Sequence, residues 1–195
     1  GCTFVARPAK ETPLSAIAMA VLAERAGVPK GVLSMIPGSD SKGIGAEMCS
    51  NPKVRKLTFT GSTEVGRILM KQCAHDIKKL SLELGGNAPF LVFDDADLDA
   101  AVEGAMIAKF RNSGQTCVCA NRIYVQRGVA DAFAEKLAAA TARLKVGNGM
   151  DDGVQIGPLI DEKGVEKVED HVADAVSKGA KIVTGGKRSE LGGTY

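Results

Sequence analysis

From Cys2 to Leu84, short apolar runs alternate with stretches whose apolar residues recur at helical spacing. This pattern predicts parallel strands joined by helical crossovers. CTFVAR predicts a strand over 2–7. Thr12 as N-cap and Pro13 at the first helical position predict a helix running to Ala26, where Gly27 ends it. VLSMI reads as a buried strand, followed by a short helix from Ile44 to Cys49 that Asn51-Pro52 stops. RKLTFT makes a third strand, the next helix sets Val65, Ile68, Leu69 and Cys73 on one face, and KKLSLEL makes a fourth strand. Residues 1–84 thus read as most of a Rossmann-like parallel sheet.

After Gly85-Gly86-Asn87 the rhythm restarts. PFLVF is a strand, a helix runs from Asp97 to Phe110, and RIYVQ is a strand beyond a polar break. Two helices follow, one with Val129, Phe133, Leu137 and Ala140 on its buried face and one with Val165, Val168, Val172 and Val176; KIVTGG reads as a closing strand. The expected class is α/β in two parts, 1–84 and 85–195, with the change at Gly85. The chain opens in a strand without a lead-in and stops at Gly192-Gly193-Thr194-Tyr195, so we expect an internal piece of a longer protein.

Composition narrows the function classes. The 25 Lys and Arg against 23 Asp and Glu leave +2, too little for a nucleic-acid groove or an anionic membrane partner. No apolar run approaches the roughly 20 residues of a membrane span, and the start lacks a secretory h-region; a cytoplasmic protein is expected. Five Cys without framework spacing fit neither a disulfide scaffold nor a structural zinc site. Asp94, Asp95, Asp97 and Asp99 read as a helix cap with dipole-favourable neighbours, so no metal site is expected.

Three segments carry candidate chemistry. In TGSTEVG, Gly61 and Gly66 bracket Ser62 at the start of a helix, where glycine lets a ligand approach and free N–H groups suit a pyrophosphate. The ordinary alternative is a turn with Ser62 as cap. In LELGG, Glu83 ends a buried strand between Leu82 and Leu84, where burial would penalise its ionised form and suit it to general-base work. The alternative is a glutamate on a wet strand edge. In FRNSGQTCVCANR, Cys117 lies between a Gly-Gln-Thr turn and a strand, outside any helical apolar stripe, a place where a thiol meets substrate.

TGSTEVG, then ELGGNAPF, then GQTC, in that order, resemble the aldehyde dehydrogenase superfamily over essentially the whole chain. DIKKLSLELGGNAPFLVFDDADLDAAVEGA and KFRNSGQTCVCANRIYVQ look closest to its succinate-semialdehyde dehydrogenases. The resemblance implies a cofactor domain over 1–84 and part of a catalytic domain over 85–195. It makes Cys117 the nucleophile and Glu83 the general base, puts Ser62 on the pyrophosphate in a turn shaped by Gly61 and Gly66, and sets Leu84 and Gly85 near the nicotinamide. An Asn upstream of this chain completes the family's oxyanion hole, and its C-terminal strands finish the tunnel and the oligomer surface. A homo-oligomer, dimer or tetramer, is therefore expected, with a small aldehyde as the partner molecule.

ARPAKETP, through Pro8, Ala9, Thr12 and Pro13, is similar to the family's KPAxxTP stretch at the adenosine ribose, with Arg7 for the usual Lys. Lys10 falls where NAD users often carry Glu, so Lys10 and Arg7 favour NADP over NAD. Arg111 matches a substrate-binding Arg of succinate-semialdehyde dehydrogenases and suits a carboxylate. Cys119 and Cys117, at i and i+2 of an extended segment, are expected about 6–7 Å apart at Cα, near the limit for an oxidation-sensitive pair, the alternative being that Cys119 only packs. The rival readings are a coenzyme-A-acylating dehydrogenase, which a water-activating Glu83 disfavours, and a non-catalytic protein that keeps the fold, which retention of Cys117 with Glu83 disfavours.

Overall fold

Parallel neighbours need a crossover connection, and each strand pair in this chain has one. The computed structural model describes residues 1–195, divided into the units Gly1–Leu84 and Gly85–Tyr195. In the first unit the order is β1 (Phe4–Ala6), α1 (Leu14–Arg25), β2 (Leu33–Met35), α2 (Ser41–Ser50), β3 (Lys56–Thr60), α3 (Thr63–Cys73) and β4 (Lys79–Glu83). β1 pairs with β2 from Phe4–Leu33 to Ala6–Met35, and β3 pairs with β4 from Lys56–Lys79 to Thr60–Glu83, both parallel. The α/β alternation is as expected, with the strands in two separate ladders.

Helix boundaries differ from the sequence reading at two places. Thr12 does not cap α1; Pro13 occupies the cap position with no side-chain bond, and Thr12 closes a turn on the Ala9 carbonyl instead. α2 starts at Ser41, earlier than Ile44, because the Asp40 carboxylate accepts from the Gly43 amide and caps the helix there.

The first unit's core is Cys49, Leu57, Leu69 and Cys73, with Met48, Phe59 and Leu80 packed on it. α3 meets this core through Gly66, Leu69 and Cys73. Val65 and Ile68, expected on the same stripe, are 40% and 50% exposed, since the seam runs through Gly66. Gly66 is needed there: a Cβ would lie 2.7 Å from Leu84 Cδ2, so helix and strand end approach only across glycine. Burial, and then a hydrogen bond with Cys73, push the Cys49 thiol up to about 11, which marks it as a packing cysteine.

The link from α3 to β4 stores strain. Ile77 has φ 51°, a left-handed conformation costly for a β-branched side chain, and it is 89% exposed with nothing to pack on. Lys78 fixes it there: its side chain is 2% exposed, and its ammonium donates to the carbonyls of Asn51 at 2.7 Å and Val54 at 2.8 Å. Ile77→Asn is expected to stabilise the protein by about 1 kcal/mol by relieving the left-handed penalty. A urea midpoint equal to or below that of the parent would show that the backbone stores no strain at this turn.

The second unit contains β5 (Ala88–Val92), α4 (Leu98–Phe110), β6 (Ala120–Val125), α5 (Ala130–Ala142) and α6 (Glu162–Ser177). β5 and β6 are parallel, with a register shift at Ala88/Pro89. Asp97 caps α4 by accepting from the amides of Asp99 at 2.9 Å and Ala100 at 3.1 Å, the cap role expected for the acidic run. Val92, Val102, Ala105 and Phe133 form the core, joined by Phe90, Met106, Ile123 and Leu137. On α6 only Val165 is buried, while Val168 and Val176 stay exposed. KIVTGG is not a strand. A strand exists through its ladder bonds, and Lys181–Gly186 has no pairing partner; Gly185 and Gly186 take φ of 65° and 72°.

Candidate active site

Cys117 is exposed, in a turn between Arg111–Gly114, the stretch that follows α4, and β6. The chain reaches it through three successive left-handed residues, Asn112 (φ 51°), Ser113 (φ 57°) and Gly114 (φ 75°), a geometry that non-glycine residues hold only when their surroundings enforce it. Part of that enforcement comes from the Arg111 carbonyl, which accepts from the Thr116 hydroxyl at 3.5 Å and the Cys119 thiol at 3.7 Å. The Cys119 amide closes the turn on the Thr116 carbonyl at 3.0 Å. The Cys117 amide makes no hydrogen bond within the chain.

This turn overturns the extended geometry expected for Cys117 and Cys119. Cys119 is 2% exposed with its thiol on a backbone carbonyl, Cys117 is exposed, and both are free. Arg111 ends α4 as expected; it is exposed, and its guanidinium makes no hydrogen bond or ion pair within the chain.

In the first unit, β3, β4 and the start of α3 gather Gly61, Ser62, Gly66, Glu83 and Leu84. The Gly61 amide donates to the Glu83 carbonyl at 3.0 Å, and Gly66 packs on Leu84. Ser62 caps α3 by accepting from the Val65 amide at 3.3 Å, so its own hydroxyl proton is still available for a ligand. The amides of Thr63 and Glu64 have no intrahelical acceptor. This donor set fits a pyrophosphate, with Glu64 in the first turn opposing it by charge. Glu83 is exposed within this unit, at the end of the ladder, so of the two settings its sequence allowed the wet strand edge holds and not burial between its leucines.

The two cations read as phosphate ligands differ in their commitments. Arg7 is drawn inward: Nη2 donates to the Gly38 carbonyl at 2.9 Å and the Ser41 hydroxyl at 2.7 Å, and Nε is buried without a partner. It ties the end of β1 to the start of α2. Pro8 is buried beside it, and Ala9 is exposed. Lys10 is 55% exposed and pairs with Glu11 at 3.0 Å, leaving ammonium protons for a second anion.

Two features of the Cys117 turn went unread in the sequence. Asn112-Ser113-Gly114 carries the composition of a left-handed turn, and Gly86 carried a signal as the second glycine of a pair. A Cβ on Gly86 would fall far inside van der Waals contact of the Cys117 carbonyl oxygen and 3.5 Å from its carbon.

Glutarate-semialdehyde dehydrogenase of Pseudomonas aeruginosa is 69% identical over 195 residues, covering 100% of this chain and 40% of that protein. Succinate-semialdehyde dehydrogenase (NADP(+)) of Escherichia coli is 66% identical with the same coverage. The crystal structure of succinate-semialdehyde dehydrogenase from Burkholderia pseudomallei matches with a TM-score of 0.97 and 65% identity, over 100% of this chain and 40% of that one. The chain thus spans about 40% of the length of the relatives it matches. Residues 1–195 all match the family described as the aldehyde dehydrogenase family, and this chain belongs to it.

Proposed function

We propose that the full-length protein oxidises a short aldehyde with an anionic far end, succinate semialdehyde first, to the dicarboxylic acid through a thioester on Cys117, with NADP preferred over NAD. The observation that carries the reading is an exposed thiol on a strained, hydrogen-bonded turn that begins at an unpaired guanidinium, Arg111. Relatives named for succinate and glutarate semialdehydes support the substrate class, and the NADP(+) in one of those names supports the cofactor.

The Cys117 sulfur, as thiolate, adds to the aldehyde carbon, and the carbonyl electron pair moves to oxygen. The unbonded Cys117 amide is a donor for that oxyanion. NADP, when bound, supplies the acceptor for the hydride that leaves the same carbon. Glu83 takes a proton from water as the water oxygen attacks the thioester carbon, and the Cys117 thiolate departs. Ser62 and the amides at the start of α3 hold the pyrophosphate. Leu84 and Gly85 lie at the nicotinamide end, and Pro8 and Ala9 shape the ribose side. Lys10 meets the 2′-phosphate, where Glu would repel it.

The test is a kinetic panel of succinate semialdehyde, glutarate semialdehyde and butanal with each cofactor in the full-length protein. The semialdehydes with NADP are expected to give the highest kcat/KM. Lys10→Glu should lower kcat/KM for NADP by about tenfold or more while leaving NAD nearly unchanged, since a charge-assisted contact contributes about 1.5–3 kcal/mol before screening. A preference for NAD that Lys10→Glu leaves as it was would place the ribose pocket elsewhere.

A further inference from the structure

Most of the Cys117 turn is held from its own segment; one support comes from a different part of the chain. The bare Cα of Gly86 lies where the Cys117 carbonyl passes, so close that any Cβ would overlap the carbonyl oxygen. The obstacle would be backbone, which cannot rotate away as a flexible side chain does. On the other side, the Arg111 carbonyl gathers the Thr116 hydroxyl and the buried Cys119 thiol, which flank Cys117 in sequence. The main chain of Cys117 is therefore bounded by Gly86 on one side and its turn is tied through Arg111 on the other, while its side chain stays exposed.

We infer that Gly86 is a positioning residue for the nucleophile, with Cys119 as the second point of the same mount: together they fix the direction in which the Cys117 thiol leaves the turn. The inference rests on the assignment of Cys117 as nucleophile. It gives Cys119 a mechanical part in place of an oxidation partner, because its sulfur is engaged with a carbonyl. It also divides the labour within LELGG, where Glu83 supplies a carboxylate and Gly86 supplies absence of bulk.

The experiment compares Gly86→Ala, Cys119→Ala and Gly128→Ala in the full-length protein. Gly128 has open space around its Cβ position, so its substitution controls for adding a methyl group. Three quantities are read: the rate of Cys117 alkylation by iodoacetamide, the pre-steady-state burst of reduced cofactor with succinate semialdehyde, and the dissociation constant for NADP.

Gly86→Ala is expected to slow the burst about 100-fold, the cost of a misplacement on the order of 1 Å, and to change the alkylation rate, while NADP affinity stays within about twofold. A folded Gly86→Ala protein with parental burst and alkylation rates overturns the inference. Should Gly86→Ala not fold, Cys119→Ala decides: a burst slowed about tenfold, the effect of one lost hydrogen bond, supports the mount, and an unchanged burst overturns it. If the parent protein reduces neither cofactor with any of the aldehydes, the dehydrogenase reading fails, and the alkylation rates alone still judge the mount.

Discussion

Cys117→Ala in the full-length protein is expected to lower aldehyde oxidation by about 10⁴-fold or more, because no other group supplies the covalent path. Glu83→Gln is expected to behave differently. Its amide keeps the shape of the strand end but takes no proton, so the thioester should form and then persist. A stoichiometric burst of reduced cofactor followed by turnover slowed about 10²- to 10⁴-fold is the expected trace. Mass spectrometry of the stalled Glu83→Gln protein should show the acyl group on the peptide holding Cys117. Near-normal turnover by Cys117→Ala would end the covalent reading. A Glu83→Gln protein with no burst would assign Glu83 to activating the thiol, not the water.

The two proposed roles rest on residue types and on the resemblance, whereas much of the fold was legible in spacing. β1 and β2 fell on short apolar runs, and β3 and β4 on runs in which Leu57 and Phe59, and Leu80 and Leu82, alternate with polar residues at the period of a strand. The failures have local causes. KIVTGG has strand composition, but composition cannot supply the ladder partner that makes a strand. Val65 and Ile68 match a helical stripe as well as Leu69 does, yet the seam followed Gly66, where a missing side chain lets α3 approach Leu84.

The candidate site shows the same division. Cys117 stood out as a candidate because its chemistry is written in its side chain, and the fold leaves it exposed on a turn. Gly86 was harder, because its contribution is a lack of atoms, visible only when the Cys117 carbonyl is seen in the space a Cβ would fill. Arg7 and Glu83 show that charge type is legible and environment is less so: Arg7 turned inward to Gly38 and Ser41, and for Glu83 the sequence left burial and a wet edge both open, of which the wet edge holds.

Arg111→Leu is expected to lower kcat/KM for succinate semialdehyde about thirty- to a thousandfold while leaving butanal little affected. Arg111 leaves α4 at the start of the turn that carries Cys117, and only its backbone carbonyl is used by that turn. The guanidinium has no partner in the chain, so it is free for a planar two-point contact with a carboxylate. Such a contact acts on the far end of a semialdehyde while the near end meets sulfur, and butanal has no far-end charge to lose. Because the carbonyl survives the substitution, the mount under Cys117 should survive too, and the alkylation rate of Cys117 should stay at the parental value. Arg111→Lys should recover only part of the loss, since an ammonium keeps the charge but not the fork. Glutarate semialdehyde extends the test, because one added methylene moves the carboxylate relative to the guanidinium without changing its charge. Equal losses on butanal and on both semialdehydes would make Arg111 a structural residue and withdraw the substrate assignment, with the roles of Cys117 and Glu83 untouched.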